Sequence, residues 1–184
     1  MSKIVKFNKQ TPTISAGYGW VDPKFPVARF ATLADEAESD AKSYNQKYMF
    51  DKKSDKAKIK DKIAIFGQVI SWSDMDKAEE LRIQLCRLVQ EKGEPRSVIN
   101  KIQRSMYGYN NIHQKLIRKT GIPIPRLWRV NQFLRTIKKA NREEAQSIID
   151  LYETTFEDAL KNKKGASNPA FIAVAARWAE FLTR

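Results

Sequence analysis

Residues 63–76 read IAIFGQVISWSDMD, and how this stretch folds decides the architecture. From Ile63 to Trp72 the run is apolar apart from Gln68 and Ser71. It is far too short to cross a bilayer. It has no strict polar–apolar alternation and none of the dipeptides, such as Asn-Gly, that announce a tight hairpin. It leads into Ser73-x-x-Asp76, a capping-box pattern for a helix start. The stretch is therefore read as a buried segment feeding a helix, with no strand in competition. Ala78, Leu81, Leu85 and Leu88 form one face of that helix, and Gly93 ends it.

Downstream, helical patterns continue. Pro95 suits the first position of a helix carrying Val98, Ile99, Ile102 and Met106, which Gly108 breaks. A short helix with Ile112, Leu116 and Ile117 ends at Gly121, and IPIP (122–125) is extended. Pro125 opens a helix to about Ala140, with Leu127, Val130, Leu134 and Ile137 facing inward. Asn141 with Glu144 caps an amphipathic helix bearing Ala145, Ile148, Ile149, Tyr152, Phe156, Ala159 and Leu160. Asn168 and Pro169 open the last helix, which buries Phe171, Ala175, Trp178 and Leu182.

Upstream, Thr32 with Asp35 starts a helix from about Leu33 to Phe50, followed by the charged segment 51–62. Residues 15–30, SAGYGWVDPKFPVARF, have neither helical nor strand periodicity. The expected fold is all-α: a bundle of six or seven helices behind an extended N-terminal arm. The expected divisions are an arm over 1–31, N-terminal helices with the charged segment over 32–72, and a bundle core over 73–184.

Charge is the strongest functional signal. The chain of 184 residues holds 34 Lys and Arg against 21 Asp and Glu, a net +13. Residues 93–141 carry eleven of the bases and a single acid, Glu94. The arm carries Lys3, Lys6, Lys9, Lys24 and Arg29 against one acid. Such segregation is the footprint of a polyanion partner. In the block, Arg96, Lys101 and Arg104 precede Lys115, Arg118 and Lys119. Arg126, Arg129, Arg135, Lys138 and Lys139 follow on or beside the Pro125 helix, with Trp128 on its outer face. Bases spread over several helices form a tract that contacts phosphates without reading sequence. The arm's aromatics, Phe7, Tyr18, Trp20, Phe25 and Phe30, need a covering surface. With Trp128 they are the expected subunit contacts.

Enzyme chemistry finds little support. His113 is the only histidine and Cys86 the only cysteine, so no typical zinc set exists. Glycines form no Walker loop or dinucleotide fingerprint. The carboxylate pairs Glu79–Glu80, Glu143–Glu144 and Glu157–Asp158 read as solvated helix faces, and a nuclease needs acids inside its basic cleft. The expectation is a binding protein with no catalytic residues, metal or cofactor. The first residues, MSKIVKFNKQ, lack the apolar core of a secretory signal.

Two stretches carry a family resemblance. YGWVDPKF (18–25) resembles the N-terminal Tyr-Gly, Trp, Lys-Phe stretch of coat proteins of rod-shaped and filamentous archaeal viruses, the rudiviruses and lipothrixviruses. Tyr18, Gly19, Lys24 and Phe25 match, while Trp20 is displaced by one position. LIRKTGIPIPRLW (116–128) is similar to a second segment, with Ile117, Gly121, Ile122 and Pro125 keeping its spacing. The chain departs from that family in the charged segment 51–62 and in its lysine content. The resemblance implies a structural coat of a helical virion that wraps linear double-stranded DNA, held in A-form. It implies a partner that is a second copy or a paralogous coat protein, with or without an envelope. The chain would be made in the host cytoplasm and end in the virion nucleocapsid. The alternative reading is a helical nucleic-acid-binding module, either sequence-specific or part of a ribonucleoprotein. PRLWRVNQ (125–132) then supplies a recognition helix with Arg126, Arg129 and Asn131.

Overall fold

The computed structural model describes residues 14–21, 23–43, 61–106, 132, 135–161 and 167–184. In chain order these form β1 (Ala16–Tyr18), α1 (Val27–Ser43), β2 (Lys62–Ile65), β3 (Gln68–Ser71), α2 (Trp72–Gln90), α3 (Ser97–Ser105), a 3-10 turn (Lys139–Asn141), α4 (Arg142–Leu160) and α5 (Ala170–Leu182).

The expected all-α bundle is corrected: the described residues are mostly helical but include a three-stranded mixed sheet, ordered β1-β2-β3. IAIFGQVIS is a hairpin. Ile63 pairs with Ile70 and Ile65 with Gln68 in antiparallel register. Its two-residue loop holds Phe66 at φ 51° and Gly67 at φ 73°. Positive φ at both positions is the turn that matches the native twist of paired strands. The apolar run concealed the alternation because both faces of the sheet are covered. Ile63, Ile65 and Ile70 face the main core, while Ala64 and Val69 face α1 through Ala41 and Ala37. β-Branched side chains then stabilise the pleated surface.

The N-terminal stretch is part of this fold rather than an arm outside it. Ala16, Gly17 and Tyr18 pair in parallel with Ile63, Ala64 and Ile65. A parallel pair needs a crossover between its strands, and α1 lies within that crossover and packs on the sheet. α1 begins at Val27, directly after Pro26, so the expected start at Thr32 is also corrected. Thr32 is interior to the helix and its hydroxyl donates to the Ala28 carbonyl at 3.3 Å. Helix α1 therefore crosses the division drawn at residue 31.

On the other sheet face sits α5. Its first part, AFIAVAA, is apolar on all sides, as suits a helix enclosed by neighbours, and charge enters only at Arg177 and Glu180. Ala170 to Ala176 are buried, and the alanines let α2, α3 and β3 approach closely. α2 contributes Ala78, Leu81, Leu85 and Leu88, the stripe read from sequence. Each fully buried leucine contributes on the order of 2 kcal/mol. α3 adds Val98, Ile99, Ile102 and Met106, and α4 adds Ala145, Ile148, Ile149, Tyr152 and Phe156. Leu182, expected inside, is exposed.

One buried polar knot fixes the ends of β3, α2 and α5. Helix α2 starts at Trp72, capped by Ser71 and not Ser73. Ser71 Oγ accepts from the Asp74 backbone N–H at 3.1 Å and donates to Asp74 Oδ2 at 2.8 Å. Asp74 Oδ2 also accepts from the Asn168 N–H at 3.2 Å, while Asn168 Nδ2 donates to the Val69 carbonyl at 2.8 Å. Asn168 Oδ1 accepts from the Ala170 N–H at 3.1 Å, opening α5 where the sequence placed its start. These bonds tie β3, α2 and α5 together and satisfy groups that burial would otherwise penalise.

Candidate nucleic-acid interface

Helix α3 is sharply two-faced. Arg96, Asn100 and Arg104 are exposed and Lys101 half-buried, while Val98, Ile99 and Ile102 enter the core. The chain returns to this face at 135–139. Lys101 Nζ donates to Thr136 Oγ1 at 2.7 Å, and Ile137 anchors the return in the core. Arg135, Lys138 and Lys139 are exposed beside it. The expected helix to Ala140 ends sooner: Lys138 is extended at φ −57°, ψ 145°, and a 3-10 turn follows.

Six expected phosphate-binding bases thus share one surface: Arg96, Lys101, Arg104, Arg135, Lys138 and Lys139. Among the described residues none of the six has a carboxylate within ion-pair distance. Elsewhere many bases are paired, although Arg29, Lys77 and Arg142 also have no described carboxylate within ion-pair distance. Lys42 pairs with Glu38, Arg82 with Glu79, Lys92 with Glu144, and Arg87 with Glu91 and Glu144. Lys161 pairs with Glu157, while Arg177 and Arg184 share Glu180. Concentrated, uncompensated positive charge raises the local potential for a polyanion.

The one acid of the basic block explains how the patch is held. Glu94 is 3% exposed. Its Oε1 accepts from the Lys138 backbone N–H at 3.0 Å and from Asn141 Nδ2 at 2.6 Å. Lys138 Nζ in turn donates to the Gly93 carbonyl at 2.8 Å, and Gly93 takes φ 64° at the turn. Glu94 is therefore spent on positioning the 138–141 corner, not on offsetting its cations. Asn141 lies at the start of α4, but its amide serves this knot and makes no side-chain cap, against the expected capping box.

The remaining expected residues are placed differently. Arg29 is exposed on α1, which packs on the sheet face away from α5 and α3, so it does not join the patch. Lys24 is exposed in the turn before α1. Lys3, Lys6, Lys9, Phe7, Lys115, Arg118, Lys119, Arg126, Trp128 and Arg129 lie outside the described residues.

Four aromatics of the N-terminal stretch find company within the chain. Trp20 stacks on Phe181 of α5 with ring centroids 5.0 Å apart, and Tyr18 meets Phe66 edge-on at 6.5 Å. Phe30 lies against Gly19, and Phe25 is half-buried. Trp20 nevertheless remains 59% exposed and Tyr18 46%. Arg177 and Arg184 each place a guanidinium carbon 4.8 Å from the Phe181 ring centre. Phe66, Phe181 and these arginines were not singled out in the sequence. The spacing Arg177, Phe181, Arg184 at i, i+4, i+7 was the available sign of a shared helix face.

Among the described residues no group of three or more His, Cys, Asp and Glu could hold a metal ion, and no helix is long and apolar enough to cross a membrane. No family model matches the chain, and no curated protein or solved structure matches it either.

Proposed function

We propose that this protein packages nucleic acid as a structural coat, binding the phosphate backbone without reading sequence. The observation that carries the proposal is the α3 surface, where six cations gather with no described carboxylate within ion-pair distance of them, Glu94 being spent on the backbone N–H of Lys138 and on Asn141. A packaging protein must bind every stretch of its cargo, so phosphate contacts should dominate and counterion release should drive association. Lysines and arginines on two separate segments suit a backbone tract better than a single reading helix. The resemblance of residues 18–25 and 116–128 to rod-shaped and filamentous archaeal virus coats supplies the cargo: linear double-stranded DNA, held in A-form inside a helical virion. The sheet is a departure from the purely helical bundle that the helical patterning predicted.

The test is a salt series with two unrelated linear duplexes of equal length, followed by electron microscopy of the mixtures. Equal affinities, steep salt dependence and filaments of fixed pitch are expected. A preference above about a thousandfold for one sequence overturns packaging and favours a specific module. A B-form circular dichroism spectrum of the packaged duplex removes the A-form element.

A further inference from the structure

A second surface differs in kind from the α3 patch, being aromatic at its centre and cationic at its border. Trp20 stacks on Phe181 with ring centroids 5.0 Å apart and planes inclined by 24°. Phe66, in the hairpin loop, meets Phe181 at 5.6 Å and Tyr18 at 6.5 Å, so three separate segments hold the rings in place. Phe181 covers one face of the Trp20 indole, yet Trp20 is 59% exposed, which leaves the opposite face open. Tyr18 is 46% exposed, and its ring lies 6.5 Å from that of Trp20. Arg177 and Arg184 border the cluster with 38% and 56% of their side chains accessible. Both reach Glu180, at 2.5 and 3.4 Å, but one carboxylate offsets only one guanidinium. These three side chains therefore keep one positive charge in excess.

We infer that this surface binds single-stranded DNA, stacking an unpaired base on the open face of Trp20 while an arginine at the border takes the adjoining phosphate. A π face for the base and a positive charge for the backbone are the two parts such a site requires, and they lie side by side here. One excess charge is too little to hold a polyanion alone, in contrast with the six cations of the α3 patch, so the bases must supply the rest of the grip. Every base has a π face, so the contact tolerates any sequence. Phe181 and Phe66 fix the rings before a ligand arrives, and binding then forfeits little side-chain freedom. A duplex stacks its bases on one another and, away from its ends, offers this surface no open face. The α3 cations can take phosphates of either form, whereas the ring surface selects for unpaired nucleotides.

This site lies beyond the packaging proposal and shares with it only the choice of DNA. Fluorescence anisotropy of labelled oligonucleotides with the full chain tests it, using oligo(dT), an abasic oligomer of the same phosphate count and a linear duplex. Wild type should bind oligo(dT) at least about fivefold more tightly than the abasic oligomer, and Trp20→Ala should abolish that preference. Duplex binding by Trp20→Ala should match wild type. If circular dichroism shows that Trp20→Ala has lost the fold, Tyr18→Leu, which keeps an apolar side chain beside Phe66, serves as the second variant, with the same loss expected. Equal wild-type affinity for oligo(dT) and the abasic oligomer overturns the inference, as does a folded variant that keeps the wild-type preference. Oligo(U) bound more tightly than oligo(dT) overturns the choice of DNA. A Trp20→Ala variant that changes only the sedimentation of the protein also overturns the inference, by assigning the surface to a protein partner. A preference for oligo(dT) in a wild type that binds no duplex instead removes the packaging proposal alone.

Discussion

Glu94 and Asn141, 47 residues apart, meet in the interior through a 2.6 Å hydrogen bond from the Asn141 amide to the Glu94 carboxylate. The same oxygen receives the Lys138 N–H, so one buried acid sets where two exposed lysines of the cationic surface stand. Removing it leaves two donors without an acceptor. Glu94→Ala should cost about 2–4 kcal/mol in urea unfolding, and Glu94→Gln, which keeps an acceptor, about 1 kcal/mol. Duplex affinity should fall with Glu94→Ala although a negative charge has been deleted. An affinity that rises would mean that Glu94 acts on the cations as charge and not through geometry.

Gly17 lies under α1 with no room for a side chain. A Cβ there would sit 2.4 Å from the Glu38 backbone nitrogen and 2.8 Å from the Ala37 carbonyl carbon. Because those atoms are backbone, relief requires moving the helix. Gly17→Ala should destabilise by about 3 kcal/mol or more. Gly67→Ala meets nothing within 4 Å and should cost only about 1 kcal/mol, for its left-handed backbone. Urea midpoints of the two variants check the ranking.

The α3 surface should reveal its grip on phosphate as salt dependence. Each of Lys101→Ala, Arg104→Ala and Arg135→Ala should lower the log–log salt slope of duplex binding by about 0.9 for every phosphate no longer neutralised. The fall in affinity should be the same for unrelated sequences. Arg177→Ala, on the surface where Glu180 intervenes, should leave the slope nearly unchanged. Fluorescence anisotropy across a salt series reads all four.

Tyr152 is buried, and burial pushes its phenol up to about 12, with the neighbouring Ser105 hydroxyl acting weakly in the opposite sense. The unfolded chain ionises this group near 10. The folded state therefore keeps a proton that the unfolded state loses, and stability falls as pH rises from about 10 to about 12. The drop assigned to Tyr152 should approach 2–3 kcal/mol. Denaturant unfolding at stepped pH should show that Tyr152→Phe removes this part of the alkaline decline. A variant with the wild-type profile would place the alkaline sensitivity elsewhere.

Burial likewise raises the pKa of the Cys86 thiol, with Arg82 acting through charge and a hydrogen bond in the opposite sense. The thiolate fraction near neutrality is thereby reduced. Cys86 should react with a thiol reagent at least about tenfold more slowly in the native protein than in urea.

The helix stripes of α2, α3 and α4 could be read directly, because Leu81, Leu85 and Leu88, or Ile148, Ile149 and Tyr152, repeat at a period set by their own backbone. The hairpin could not. Ile63 and Ala64 are buried against different layers, so alternation between core and solvent never appears in the sequence. Its Phe66-Gly67 loop also takes a left-handed pair without an asparagine or aspartate to announce it. The helix start at Val27 is hidden for a different, local reason: Thr32 and Asp35 make a convincing cap pattern, but the helix already begins directly after Pro26, whose carbonyl accepts from the Phe30 N–H at 3.1 Å.

The sequence by itself determined where charge is concentrated and which helix faces are apolar, since both depend on residue identity and on spacing along one backbone. Tertiary structure alone decided that SAGYGW supplies a strand, that Glu94 is buried as a clamp, and that Trp20 rests on Phe181. Each of those joins residues at least 44 positions apart. No local periodicity encodes such a meeting, because the partner that satisfies a backbone N–H, a carboxylate or an aromatic face is known only once the chain has brought it there.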